Sequence, residues 1–232
     1  MPILSKSWLR LRVESGLKKG FTQAYETVKV DPQHYLLHLQ VAHELPITTF
    51  KGIYSVPLAQ IDDIAAQTVR AGMKMAMAEG AGLGIGGMLT VVPDLGFLAV
   101  ITLRTIQKLS LLYGFEYNTD EEMADLWVAA ASAAGVDISR ELMEKQVVSK
   151  FVPRVIQAMA AQASKEAVER WAGRVIPILS SVIGAGLNYV FVRAWSERAV
   201  KHFREKHIAI RNKMAGGEIP FVGAPHELSS GS

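Results

Sequence analysis

Residues 81–103, AGLGIGGMLTVVPDLGFLAVITL, carry a single charge, Asp94, and residues 175–192, VIPILSSVIGAGLNYVFV, carry none. In a chain of 232 residues, half of them apolar and with mean hydropathy +0.19, both stretches demand burial in protein or in lipid. About 20 apolar residues suffice to cross a bilayer. Each stretch, however, holds a proline (Pro93, Pro177), several glycines and a polar group (Asp94, Asn188), all costly in lipid unless protein shields them. Small residues also recur one turn apart, at Gly80 and Gly84, Gly82 and Gly86, and Ser180 and Gly184. Such spacing lets helix backbones approach closely, in a bilayer or in a tight core. The pattern predicts two long, Gly/Pro-interrupted apolar helices packed together, with Gly80, Gly84 and Gly184 at the contact. A buried pair is the preferred form and a membrane pair the alternative.

The glycines also spell Gly82-x-Gly84-x-x-Gly87, the spacing of a dinucleotide loop. That loop requires a preceding strand, a helix opening at the glycines and an acid about 20 residues on. Here an amphipathic pattern of helical period precedes the glycines, Pro93 closes the segment, and residues 101–108 read ITLRTIQK with no acid. The match is accidental, and the sequence calls for no cofactor.

Helical periodicity extends through nearly every other long segment, and no alternating run bounded by tight turns marks a hairpin. Residues 5–28 form one or two helices. Asp31-Pro32 reads as a cap and first helical residue, and Pro46 to Pro57 as a loop. From Leu58, positions 61, 64, 65, 68, 72, 73, 76 and 80 make an apolar stripe, with Asp62, Asp63, Arg70 and Lys74 off it. A further helix runs from Asp94 to about Tyr113, where Gly114 stops it. Asn118 or Thr119 then caps a helix whose first turn is acidic. Asp137 or Ser139 opens the next, kinked or broken at Pro153. The last starts near Ser164, is interrupted at Pro177 and reaches about Met214. The expected fold is all-α: a single helical bundle over residues 1–215, with a flexible tail over 216–232.

Charge is segregated rather than large. The net value is +3, with a basic N-terminus (Lys6, Arg10, Arg12, Lys18, Lys19), an acidic stretch over 116–145 and a basic one over 193–213. Cysteine is absent, which excludes disulfides and thiolate metal sites. No apolar leader is present at the N-terminus, so a cytoplasmic start is expected. His34, His38 and His43 have ligand-like spacing but no His-Glu-x-x-His, and no metal is assigned. Ser180, Ser181 and Ser196 lack a nucleophile elbow. Arg193, Arg198, Lys201, Arg204 and Lys206 could contact phosphates, yet Arg193–Glu197 and Lys201–Glu205 are also i,i+4 pairs on an exposed helix. No nucleic-acid motif accompanies them, and nucleic acid is not an expected partner. Leu4, Trp8 and Leu11 share a face of the first helix, suited either to an anionic membrane surface or to covering the bundle.

Read together, AEGAGLGIGGMLTVVPDLGFLAVITLRTIQKLSLLYGFEY (78–117) and VIPILSSVIGAGLNYVFVRAWSERAVKHFRE (175–205) resemble the EcsC family. The matching positions are Glu79, Gly80, Pro93, Asp94, Arg104, Gln107, Tyr113, Gly114, Pro177, Gly184, Asn188 and Arg193. The small residue usual between the proline and the acid is missing, because Pro93 and Asp94 are adjacent. The resemblance covers about residues 43–210, and the family takes its name from a protein encoded beside an ABC transporter. It implies a polar cluster of Glu79, Asp94, Arg104, Gln107, Asn188 and Arg193 among apolar helices, for structure or for a ligand. Asp94 and Arg104 are ten residues apart, about 15 Å along a straight helix, so Asp94 should find its partner elsewhere: Arg193, Asn188 or its own helix's amides. The resulting expectation is a non-enzymatic helical protein, peripheral to or embedded at the cytoplasmic membrane. It would associate with a membrane or a membrane complex such as an ABC transporter, in transport or secretion, with an apolar or lipid groove. The alternative is a lipid-binding or lipid-modifying, hydrolase-like enzyme using Asp94 and Arg104.

Overall fold

A computed structural model describes residues 6–82, 91–138, 148–172 and 181–217. Every regular element among them is helical: α1 (Lys6–Thr27), α2 (Pro32–Ala42), a 3-10 helix (Phe50–Ser55), α3 (Leu58–Gly82), α4 (Val91–Leu112), α5 (Asp120–Ala133), α6 (Val148–Ala172) and α7 (Ser181–Ala215). The all-α expectation holds. The tail beyond residue 217 lies outside the described residues.

The helix starts follow local chemistry. Asp31 accepts from the amides of Gln33 and His34 and Pro32 occupies the first turn, where its missing N–H costs nothing. Thr119 and Glu122 form a reciprocal capping box at α5. Gly114 ends α4 with φ +89°. A Cβ there would meet Ile53 Cγ2 at 2.9 Å and the Tyr54 ring at 3.0 Å, so both the backbone angle and the close approach require glycine.

α4 is the central helix. From Leu98 to Tyr113 it is buried on nearly all sides, with Arg104 and Lys108 the outward exceptions. Its buried hydroxyls satisfy themselves: Thr102 Oγ1 donates to the Leu98 carbonyl (2.7 Å) and Thr105 Oγ1 to that of Ile101 (2.8 Å). α1 lays Val13, Leu17, Phe21 and Ala24 against α4 and α6. α3 buries Ile61, Ile64, Ala65, Val69 and Ala76, along the stripe read from sequence, and packs most extensively on α7. α7 answers with Val192, Trp195, Ala199 and Phe203 at helical spacing, and Trp195 stacks on Phe21 with centroids 5.4 Å apart. Among the described glycines the closest approach is at Gly72, where a Cβ would lie 2.7 Å from Thr105 Oγ1 of α4 and 3.6 Å from Val192 of α7. The surroundings of Gly80, Gly84 and Gly184, the contact expected from the sequence, lie outside what is described.

Two boundaries differ from the sequence reading. Pro46–Pro57 is not simply loop: it buries Ile47, Phe50, Ile53, Tyr54 and Val56 through a 3-10 turn too short to show a helical period. α6 runs unbroken through Pro153 and past Ser164, so the two helices expected around that serine are one. The pyrrolidine ring lies at an exposed position, away from the packed face. As for the apolar stretches, Leu98, Ala99, Ile101 and Leu103 of the first are buried in the protein, and no described helix is long and apolar enough to cross a membrane.

Candidate functional site

The residues expected to form one polar cluster are not brought together where they are described. Gln107 is 4% exposed and clamps the α1–α2 connection. Its Nε2 donates to the Val28 carbonyl (3.1 Å) and its Oε1 accepts from the Val30 amide (3.0 Å), while the Tyr117 hydroxyl donates to the Val30 carbonyl (2.8 Å). Arg104, one turn earlier, faces outward. Arg193 is exposed and pairs with Glu197 on its own helix at 2.8 Å. The side chains of Glu79, Asp94 and Asn188 lie outside the described residues, and with them the question of Asp94's partner. Among the described residues no group of three His, Asp or Glu is arranged to hold a metal ion.

A different polar cluster joins α3, the end of α4 and α7. Asp62 accepts from Arg204 Nε at 3.0 and 2.9 Å and, at 3.0 Å, from the Tyr113 hydroxyl. Arg204 and Asp62 are each partly exposed, so this pair contributes on the order of 1 kcal/mol or less. Burial, reinforced by the Asp62 carboxylate, raises the Tyr113 hydroxyl above its ordinary pKa; Tyr113 is thus a neutral donor.

One turn beyond Arg204, His207 is 0% exposed. Its Nδ1 lies 2.9 Å from the Tyr113 carbonyl, an acceptor only, which assigns the proton to Nδ1. Burial lowers its pKa, opposed by that hydrogen bond, and keeps the ring neutral. The ring stacks on Tyr54 (4.6 Å, 16°), whose own hydroxyl burial pushes up to about 12. His207 Nε2 is buried without a hydrogen-bond partner, as are Trp195 Nε1 and Ser196 Oγ on the same inner stripe of α7.

Tyr54 also opens onto a cleft of about 310 Å³ between the 3-10 helix, the α4–α5 turn and α7. Its apolar wall comes from Phe115, Leu126, Phe203, Ile210 and Met214. Phe115 and Phe203 stack at 5.8 Å, and Phe115 is fixed by Ser110, whose hydroxyl donates to its carbonyl at 2.7 Å. The rim is charged, with Lys51, Glu116, Glu122, Asp125 and Lys206; of these Lys206 Nζ lies 3.0 Å from Asp125 and 4.9 Å above the Phe115 ring. Glu122 is occupied by the capping box. Chemically this is a container with an apolar wall and a polar lip. It offers no nucleophile paired with a base.

Sequence reasoning missed Asp62, Tyr54 and His207. Asp62 read as one more residue off an apolar stripe, and its partner Arg204 is 142 positions away. Gly114 was the one local signal, marking where Tyr54 packs.

Comparison with known proteins gives the lineage. The description "EcsC protein family" matches residues 15–208, reaching nearer the N-terminus than the motifs alone. The chain is 25% identical over 130 residues to Protein EcsC of Bacillus subtilis (strain 168), covering 56% of this chain and 55% of that protein. It is thus similar to little more than half the length of that relative. It is also 20% identical over 189 residues to the uncharacterised protein YdbA of the same strain, covering 76% of this chain and 70% of YdbA. No solved structure matches. With most of its length matched, from the middle of α1 to the last turns of α7, the chain belongs to the EcsC family.

Proposed function

We propose that this protein is a non-catalytic helical binding protein that works at a membrane or membrane complex and holds an apolar ligand, such as an acyl chain or a small aromatic, in the cleft between the 3-10 helix, α5 and α7. The observation that carries this reading is the cleft itself. Five apolar side chains wall about 310 Å³, and at its lip Lys206 pairs with Asp125. Sites of that volume and lining suit small apolar molecules, with the polar lip orienting them. The EcsC family's namesake, encoded beside an ABC transporter, makes a transporter the membrane complex to test first.

The test is binding of the neutral apolar dye N-phenylnaphthylamine, followed by competition with fatty acids, and mass spectrometry of lipid extracted from the purified protein. Ile210 is half-buried on the cleft wall, so Ile210→Glu places a carboxylate where the ligand would lie without emptying the core. Saturable dye binding abolished by Ile210→Glu is expected. Absence of dye binding, or binding that survives the substitution, overturns the cleft as the site.

A further inference from the structure

α2 carries two apolar faces and buries only one. Tyr35, Leu36 and Leu39 face the core, while His34, Leu37, His38 and Val41 follow the same i, i+3, i+4, i+7 spacing on the opposite side. There Leu37 is 54% and Val41 72% exposed. This outward face holds no carboxylate. Lys108 of α4 stands at its edge, its ammonium 5.9 Å over the Tyr35 ring, and Tyr35 and His38 lie ring to ring at 6.0 Å, with His38 meeting His43 at 5.5 Å. Arg104 lies one turn before Lys108 on α4, exposed.

Among the described residues neither Arg104 nor Lys108 has an anionic partner, and the charges that act on His38 are His43, Lys108 and His34, all of one sign. Asp31 is committed to the first amides of α2, at 2.8 and 3.2 Å, and Glu44 follows the helix beyond His43.

We propose that the outer face of α2, together with Arg104 and Lys108 of α4, docks this protein reversibly on an anionic phospholipid bilayer; the inference rests on the membrane reading above and names the surface that reading lacks. The match is one of chemistry. Leu37 and Val41 are the two side chains that would enter the acyl boundary, and the uncompensated cations around them would meet lipid phosphates. Lys108 is half-buried at the edge of this face, its ammonium over the Tyr35 ring, so it stands beside the surface that Leu37 and Val41 expose. An acidic protein surface would use the cations but leave the exposed Leu37 and Val41 unexplained. The area is small, so attachment is weak, salt-sensitive and peripheral.

The test is co-sedimentation of the full chain with vesicles of phosphatidylcholine alone and of phosphatidylcholine mixed with phosphatidylglycerol, at low and high salt. Binding to the mixed vesicles only, relieved by salt, is expected. Each cation near an anionic surface is worth about fivefold, so Arg104→Gln with Lys108→Gln should weaken binding about 25-fold. Leu37→Ser with Val41→Ser should lower it further, while Arg193→Gln, a cation already paired on α7, should leave it unchanged. Circular dichroism checks that each variant keeps its helices. If the parent binds mixed vesicles and both double variants bind equally well, the α2 face is wrong although the membrane reading stands. If the parent binds neither vesicle, both fall. Retention on polyglutamate through the same residues, without vesicle binding, overturns the bilayer in favour of an acidic polypeptide.

Discussion

α7 and α4 both present cations, and they differ in what those cations meet. On α7, Arg193 pairs with Glu197, Arg198 with Glu166 and the Ala133 carbonyl, Lys201 with Glu205, Arg204 with Asp62 and Lys206 with Asp125, while Arg211 donates to the Val56 carbonyl. On α4, neither Arg104 nor Lys108 has an anionic partner among the described residues; Lys108 feels the charge of Arg104 and lies over an aromatic face. The basic run at 193–213 is the conspicuous one in sequence, yet Arg198, Arg204, Lys206 and Arg211 tie α7 to other elements, and Arg193 and Lys201 pair within α7 itself. Arg104 and Lys108, two unremarkable cations on the most apolar helix, instead stand without an anionic partner among the described residues. Placement, not number, decides which cations are available to a partner.

The sharpest way to break this contrast is within α4 itself, where Gln107 faces inward between Arg104 and Lys108. Gln107→Leu would strand the Val28 carbonyl and the Val30 amide, each at about 1–3 kcal/mol. Arg104→Gln should change stability by no more than about 0.5 kcal/mol. Urea denaturation reads both. Equal losses would make Arg104 structural and end the distinction between the two faces.

Next in size is the turn that seats Tyr54. Gly114→Ala forces a Cβ into the left-handed region and against Ile53 and Tyr54, an expected loss of about 1–3 kcal/mol in thermal or urea unfolding. The same variant should diminish dye binding in the cleft, because Tyr54 and Gly114 both line it. Unchanged unfolding would mean that the 3-10 turn yields freely and does not set the cleft.

A smaller effect is expected on the paired side. Asp62→Leu removes the acceptor of Tyr113 and the partner of Arg204, and should cost about 1–2 kcal/mol, since Arg204 can turn to water whereas the phenol is more enclosed. Tyr113 should then titrate at lower pH in ultraviolet absorbance, because the carboxylate that raised it is gone. A Tyr113 titration that does not move would remove Asp62 from the cluster.

What was legible in sequence follows from reach. Asp31-Pro32, a cap at Asn118 or Thr119 (the structure uses Thr119), the α3 stripe and Gly114 are local signals, and each marks the feature it was read for. The motif residues Arg104 and Gln107, three positions apart, were read as one polar group because both are polar within an apolar stretch and both match the family's pattern. On a helix that spacing can still divide inward from outward when a neighbour, here the Val28–Val30 backbone, claims one of them. The Phe50–Ser55 turn was invisible for lack of length, and the Pro153 break was inferred from the residue alone, without its exposed position. The Asp62–Arg204 pair joins α3 to α7 and has no local trace at all.

The smallest effect separates the two regions by the cause of a pKa shift. His207 and His38 are both lowered from the ordinary histidine value, and burial is the first cause in each. For His38 the next causes are three like charges, whereas for His207 the next is a hydrogen bond that opposes the shift. Salt screens exposed charges but not burial. Raising ionic strength should therefore move the His38 titration upward in NMR and leave His207 nearly in place, and Arg104→Gln with Lys108→Gln should do the same without salt. Mixed anionic vesicles, if they occupy the α2 face, should raise His38 further. The stability consequence has one sign for both histidines. The folded state binds its proton later than the unfolded chain, so the contribution is full above about pH 6.5 and is lost as pH falls through the lowered folded values. Unfolding measured across that window should thus show a protein that weakens on acidification, with His207→Gln flattening the dependence more than His38→Gln, because the His207 ring has no solvent exposure. If His38 ignores both salt and the α4 substitutions, the cations of α4 are not acting on α2, and the contrast with α7 loses its electrostatic basis.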